Sequence, residues 1–547
     1  MSLTPLDRRR FLKGLGATAG AVAATATLPR SLLVKLGRTL EPIPPIQDPR
    51  LKALADRALE TAKSAGATYA DVRLTHTRRR GVWEGNVSDQ EDMEVGVRSL
   101  VGGYWGFASG PVWSNDEMAR LGAECVHQAR ANAVDGARVV DLAPVPKVPD
   151  GHWIMPVVRD PFEVSPFEIR DFLATLDLIA REKPGGAPGA IEATFATQEK
   201  LVATSEGSYC SQQLYRSEGR CPVAVEVPNH GREVRALNCL SPAGLGWELF
   251  TAPSIPQVRA GTLYDEIWRT IEQMRADLML PAKPLDVGRY DTVFDAVSIQ
   301  NIAAETLGRA TELDRAMGYE ANEGGTSYLN DPFHMAGSYQ VGAQLLTLVG
   351  NRGVPGAAAT VQWDDEGVVP NECTLVKDGV LYDFQTTRES AGWLKDNYAR
   401  TGQVFRSHGF AAAPSAIDPP MQHVPNLAIS PGADAKDYDA LVAGLADGMA
   451  MEEAGADMDF QHSTGMGGGR AYEVKRGKRT ARIPGAAFLF RSTEFWKALQ
   501  ALGGAASLRR YGREDMKGAP AQHCYYSVSA PPALVKQISF INPLRKA

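Results

Sequence analysis

Several common signatures are missing from this 547-residue chain. It has no C-x-x-C, and its nine histidines include no pair at three- or four-residue spacing. A ribbon-type zinc site is therefore not expected. No G-x-S-x-G surrounds a serine, so Ser205 and Ser208 in SEGS should sit in a structural turn rather than act as nucleophiles. Beyond the first thirty residues no eighteen apolar residues run unbroken, so no membrane-spanning helix is expected in the mature chain. Positive charge is not in excess: 58 Lys and Arg against 64 Asp and Glu leave a net charge of −6. That gives no electrostatic basis for binding nucleic acid. GMGGGR at 465–470 does not lie between a clear parallel strand and a helix, so it should be a loop or strand end and not a phosphate cradle. Repeats and long low-complexity runs are absent. The six cysteines are scattered; Cys210 and Cys221 flank a short polar stretch and either bridge a hairpin or stay free. His334 and His408 have no local partner and read as ordinary surface or packed histidines. Asp364-Asp365-Glu366-Gly367 reads as a charged turn, with a hard-cation site as the alternative.

What is present suggests a soluble, multidomain protein. Hydrophobic residues make up 44% and charged residues 22%, and the length exceeds one ordinary core. Residues 1–30 carry a basic stretch, a weakly apolar Ala/Gly segment and Ala24-Thr25-Ala26, the order of an export signal. Arg8-Arg9-Arg10-Phe11-Leu12-Lys13 resembles the twin-arginine motif. The expected location is periplasmic or otherwise extracytoplasmic.

Apolar spacing predicts amphipathic helices at 48–66, 115–133, 165–183 and 262–280. TYADVRLTHT alternates as a strand, with Val72 and Leu74 on one face and Arg73 and Thr75 on the other. Gly102-Gly103, Asp378-Gly379 and Gly477 mark hairpin turns. Strands should dominate beyond about 340, with helices near 387–400 and 493–502. The fold class is α+β: N-terminal α/β-type domains at 48–145 and 150–283, then a mostly antiparallel β domain at 284–547.

The stretch NIAAETLGRATELDR (301–315) reads as a helix in which Gly308 interrupts the run, at about 1 kcal/mol relative to Ala. Together with YDTVFDAVSIQ before it and GYEANEGGTSYL after it, this stretch resembles the metal-binding helix of the TldD/PmbA metallopeptidases, also called modulators of DNA gyrase. VGVRSLVGGYWGFAS, ATSEGSYCSQQLYR, DDEGVVPNECTLVKDGVLYDFQTTRESA and SAPPALVKQISFINP resemble other segments of that family, so the likeness runs along most of the chain.

Members that are active carry H-E-x-x-x-H and a Cys near the C-terminus. The resemblance places Glu305 at the general-base position. Ala304 and Arg309 then stand at the two His positions, and Lys517 in KGAPAQ at the Cys position. Ala offers no donor atom, and Arg stays protonated and repels a metal ion. The inherited zinc site should be missing, with no cofactor expected unless ligands are relocated or supplied by a partner; His523-Cys524 is the nearest relocation. Residues five apart on an α-helix differ by about 140°, so positions 304 and 309 need a distorted or ending helix to face one site. Glu305 and Arg309, four apart, can pair, and Arg309 would then supply the charge a metal supplies elsewhere.

The resemblance implies a peptide-degrading system in which this chain is the non-catalytic subunit, paired with an intact TldD-like relative or with itself and handling peptide substrates. The alternatives are an active metallopeptidase with relocated ligands and an envelope peptide-binding or scaffolding homodimer.

Overall fold

The computed structural model describes residues 46–83, 85–134 and 138–543, so the expected export signal at 1–30 lies outside the described residues. The predicted amphipathic helices form at α1 (Pro49–Ser64), α2 (Asn115–Ala131), α3 (Pro166–Glu182) and α4 (Leu263–Met279). Each starts on a residue whose side chain takes an otherwise unpaired backbone N–H: Asp48, Ser114, Ser165 and Thr262. Thr262 and Asp265 complete a reciprocal capping pair.

The N-terminal sheet has six strands: β1 (Tyr69–Trp83), β2 (Asn86–Val101), β3 (Tyr104–Gly110), β4 (Gly151–Ile154), β5 (Glu192–Thr204) and β6 (Tyr209–Arg220). Their order is β3-β2-β1-β5-β6-β4. β1 pairs with β5 from Asp71↔Thr204 to Trp83↔Glu192, so strands from both sides of the 145–150 linker share one sheet. Gly102 and Gly103 make the predicted β2–β3 turn, both at positive φ. The SEGS segment is a turn between β5 and β6, where Ser205 Oγ accepts from Ala70 N and Ser208 Oγ from Val148 N, each at 3.0 Å.

One face of β1 differs from the alternation. Val72 and Leu74 enter the core, but Arg73 and Thr75 are buried too. The polar face is covered by the C-terminal half: Arg73 donates to the carbonyls of Ser415 and Asp418, and Thr75 Oγ1 accepts from Ala416 N.

The C-terminal half is built on β7 (Gly288–Phe294), β8 (Cys373–Lys377), β9 (Leu427–Ile429), β10 (Asp447–Glu452), β11 (Arg509–Lys517), β12 (Gln522–Ala530) and β13 (Ala533–Ile541), with shorter strands beside them. A nine-stranded sheet runs through β13-β7-β10, and a six-stranded sheet contains β8, β9, β12 and β11. Most pairings are antiparallel; β7–β10 and β9–β12 are parallel. The whole is an α+β fold with about 25% helix and 35% strand.

The 493–502 segment corrects the prediction. Its helix stops at Lys497, and Leu499–Leu502 becomes a strand on β13, because long-range pairing outweighs local helical spacing. GMGGGR takes the strand-end alternative: it runs from the strand Thr464–Gly468 through Gly469 into the start of Arg470–Lys475, and a Cβ on Gly467 would strike the Phe488 ring at 2.2 Å. All six cysteines are free, including Cys210 at the start of β6 and Cys221 just past its end.

Candidate functional site

Helix α5 (Ala296–Ala303) starts on the Asp295 cap and is followed directly by a π-helical turn, Ala304–Gly308. Arg309 N donates to Ala304 O at 3.0 Å, the i→i+5 bond of that geometry. Ala304, five residues before Arg309, packs into the apolar core, whereas Arg309 stays partly exposed. Freed carbonyls are answered individually: Tyr328 OH donates to Thr306 O at 3.0 Å, and Gln385 Nε2 to Gly308 O at 2.5 Å. Gly308 packs against the edge of β9, where a Cβ would lie 2.9 Å from Leu427 Cδ1. Trp496 Nε1 donates to Thr306 Oγ1 at 2.9 Å, fixing the outer side of the turn.

Glu305 and Arg309 project together into a cavity of about 410 Å³, lined also by Glu323, Asp457, Asp459, His462 and Lys517. Their side chains pair at 3.4 Å and remain 18% and 22% exposed. Arg309 also reaches Asp515 at 3.9 Å. Burial opposes the Arg309 charge, but Glu305 and Asp515 outweigh it and hold the guanidinium protonated. Ala304 is fully buried and contributes only a methyl group to the core.

Lys517 ends β11. Asp515 and Lys517 lie two apart and share the strand's buried face. Lys517 Nζ is wholly enclosed, with Glu312 Oε1 at 2.9 Å and both Asp314 oxygens at 2.8 Å. Arg315 pairs with Glu312 at 2.8 Å. Burial works against the Lys517 charge, and Asp314 and Glu312 overcome it, so the ammonium is held charged. Asp515 accepts from buried His423 Nδ1 at 3.0 Å. Burial disfavours both charges, but this bond, with Arg309 and Lys517 nearby, keeps Asp515 ionised and its pKa well below the usual range. The His423 pKa is raised against its burial by Cys524 and Asp515.

The sequence-derived positions Glu305, Arg309 and Lys517 thus converge on one cavity, whereas Ala304 packs into the apolar core. Sequence reading missed His423, Asp515, Glu312, Asp314 and His462. The first four act through contacts across the fold, and only the Asp515/Lys517 alternation on β11 hinted at them. His462 carries a buried Nδ1 with no hydrogen-bond partner. Its burial, followed by the charges of Arg315 and Arg309, lowers its pKa to about 4.

A zinc ion does not suit these residues. The three positions offer a methyl group and two cations, and both cations already meet carboxylates. No three potential ligands converge at this cavity among the described residues. The His523-Cys524 alternative lies elsewhere: both residues line a different cavity, and His523 is half exposed on Glu514. The acidic run at 364–366 is also not an exposed turn. Its carboxylates are buried and bonded to Lys200, Arg98 and backbone N–H groups.

Residues 287–542 match the sequence profile of the PmbA/TldA metallopeptidase C-terminal domain. Metalloprotease MJ0996 of Methanocaldococcus jannaschii is 21% identical over 375 residues, 66% of this chain and 74% of that protein. Among solved structures, a candidate modulator of DNA gyrase from Thermotoga maritima aligns with a TM-score of 0.66 at 15% identity, covering 90% of this chain and 100% of that one. TldE from Thermococcus kodakarensis aligns with a TM-score of 0.62 at 12% identity, covering 89% and 99%.

Proposed function

We propose that this chain, whose residues 287–542 carry a PmbA/TldD-family metallopeptidase domain, is a non-catalytic member of a peptide-degrading system. One observation carries the reading: the two positions where zinc ligands would stand as His and Cys hold Arg309 and Lys517, each already paired with carboxylates. A zinc ion placed there would meet two fixed positive charges, with Glu305 as the single carboxylate on the turn. In place of Lewis-acid chemistry, the cluster ties the π turn to β11 and shapes the cavity wall. The charged cavity lining would then contact peptide without activating water.

On this reading the chain works beside an intact TldD-like relative, after export by the twin-arginine route. Co-expression with such a relative tests it: a stable complex and altered peptidase turnover by the relative are expected. Metal-dependent peptidase activity in the isolated chain, lost in Glu305→Gln, would overturn it.

A further inference from the structure

Metal-binding side chains do converge in this molecule, but elsewhere. Cys373, Asp383 and His408 present ligand atoms within 4.8 Å of one another, and all three residues are buried. They come from three segments: the start of β8, the chain after the short strand Val380–Leu381, and the loop beyond the helix Lys395–Thr401. His408 Nε2 lies 3.0 Å from Asp383 Oδ2. The other oxygen, Oδ1, accepts from Phe384 N at 2.8 Å and Tyr398 OH at 3.2 Å. Such bonds fix a carboxylate's direction, as outer partners do for metal ligands. Cys373 Sγ has only a long contact, 3.9 Å to Phe384 O. Burial, reinforced by Asp383, pushes its thiol well up, so it stays neutral unless a cation replaces its proton.

We propose that Cys373, Asp383 and His408 bind one zinc-class divalent ion as a structural metal. A thiolate, an imidazole and a carboxylate form a mixed donor set suited to zinc and unlike the oxygen-only sets of magnesium or calcium. Three protein donors leave one position of a tetrahedral ion for water. The charges balance: a divalent cation meets one thiolate and one carboxylate, so the buried site is neutral. On binding, the Cys373 proton leaves to solvent and the ring proton of His408 moves from Nε2 to Nδ1. Nδ1 lies 3.3 Å from the Asn371 amide nitrogen, and Asn371 Oδ1 is buried without a partner. Turning that amide over would let Oδ1 accept from Nδ1–H, in exchange for the 2.9 Å bond from Asn371 Nδ2 to Glu372 O.

The site has a structural use. Gln385, two residues past Asp383, donates to Gly308 O and Thr311 Oγ1. An ion at Asp383 would brace the segment that caps the π turn. This inference does not depend on the proposed loss of peptidase chemistry.

Cobalt is the probe. The full chain, stripped with chelator, should take up one Co²⁺ per chain with a thiolate-to-cobalt charge-transfer band in the near ultraviolet, and Zn²⁺ should abolish the band. Cys373→Ala should lose both the band and the bound equivalent, and Glu305→Gln should keep them. His408→Gln, which preserves core volume, should weaken cobalt binding at least tenfold. No band in the folded wild-type chain, a band that survives Cys373→Ala, or one lost in Glu305→Gln would overturn the proposal.

Discussion

The acidic run at 364–366 and the cluster beneath the π turn both bury carboxylates against cations, but they differ in how many polar atoms are left without a partner. At 364–366 every carboxylate oxygen has a donor. Asp364 accepts from the N–H groups of Glu366, Val368 and Ala411, Asp365 from Lys200 and Ala413 N, and Glu366 from Arg98 and Arg388 N. These donors come from both halves of the chain, so the run fastens the N-terminal sheet to the C-terminal half. Under the π turn, Asp515 Oδ1, Arg309 Nε, Arg315 Nη2 and His462 Nδ1 have no hydrogen-bond partner, and Glu305, Arg309, Lys517 and His462 border open space. A fully bonded cluster serves as a fastener. A partly bonded one beside a cavity has polar capacity left for a ligand.

The comparison breaks first at its fully bonded end. Asp365→Leu strands Lys200 and Arg73 without their carboxylate and should cost about 3–5 kcal/mol, seen as a lower urea midpoint. Lys517→Met strands Asp314, while Glu312 keeps Arg315 at 2.8 Å. Its cost should be smaller, about 2–3 kcal/mol. If the two variants lose equal stability, the distinction between fully and partly bonded clusters fails.

His462 gives a finer test. Its pKa of about 4 in the folded chain lies below the ordinary 6.5. Between those values the unfolded chain binds more protons, so stability present above pH 6.5 falls as pH drops toward 4. The loss between pH 7 and 5.5 should be about 1 kcal/mol. Asp364 and Asp295, raised by burial to about 7, act in the opposite direction over this range. The readout is therefore the difference between wild type and His462→Asn, whose stability should fall less on acidification. Smallest is Glu305→Gln. The pair it breaks is partly exposed, so stability should change by less than about 0.5 kcal/mol.

Local features of the fold were legible in the sequence. The four long helices follow apolar spacing and caps, and the hairpins at Gly102-Gly103, Asp378-Gly379 and Gly477 follow turn chemistry. Features set by distant partners were not. Arg73 reads as a solvent-facing strand residue until 415–418 covers it, and Leu499–Leu502 reads as helix until β13 pairs with it. The site divides the same way. Glu305, Gly308 and Arg309 lie within one turn, and their spacing already required a distorted helix. Lys517 could be placed by resemblance, but its partners Glu312 and Asp314 lie 205 and 203 residues away. His408, unremarkable in sequence, is buried on Asp383.

The central claim is that the π-turn cavity holds cations where a metal would be ligated. Metal content of the Cys373→Ala chain after equilibration with zinc tests it most directly, since the separate Cys373 site is then removed. The account predicts no stoichiometric zinc in that variant. One zinc per chain, lost when Glu305→Gln is added, would contradict it.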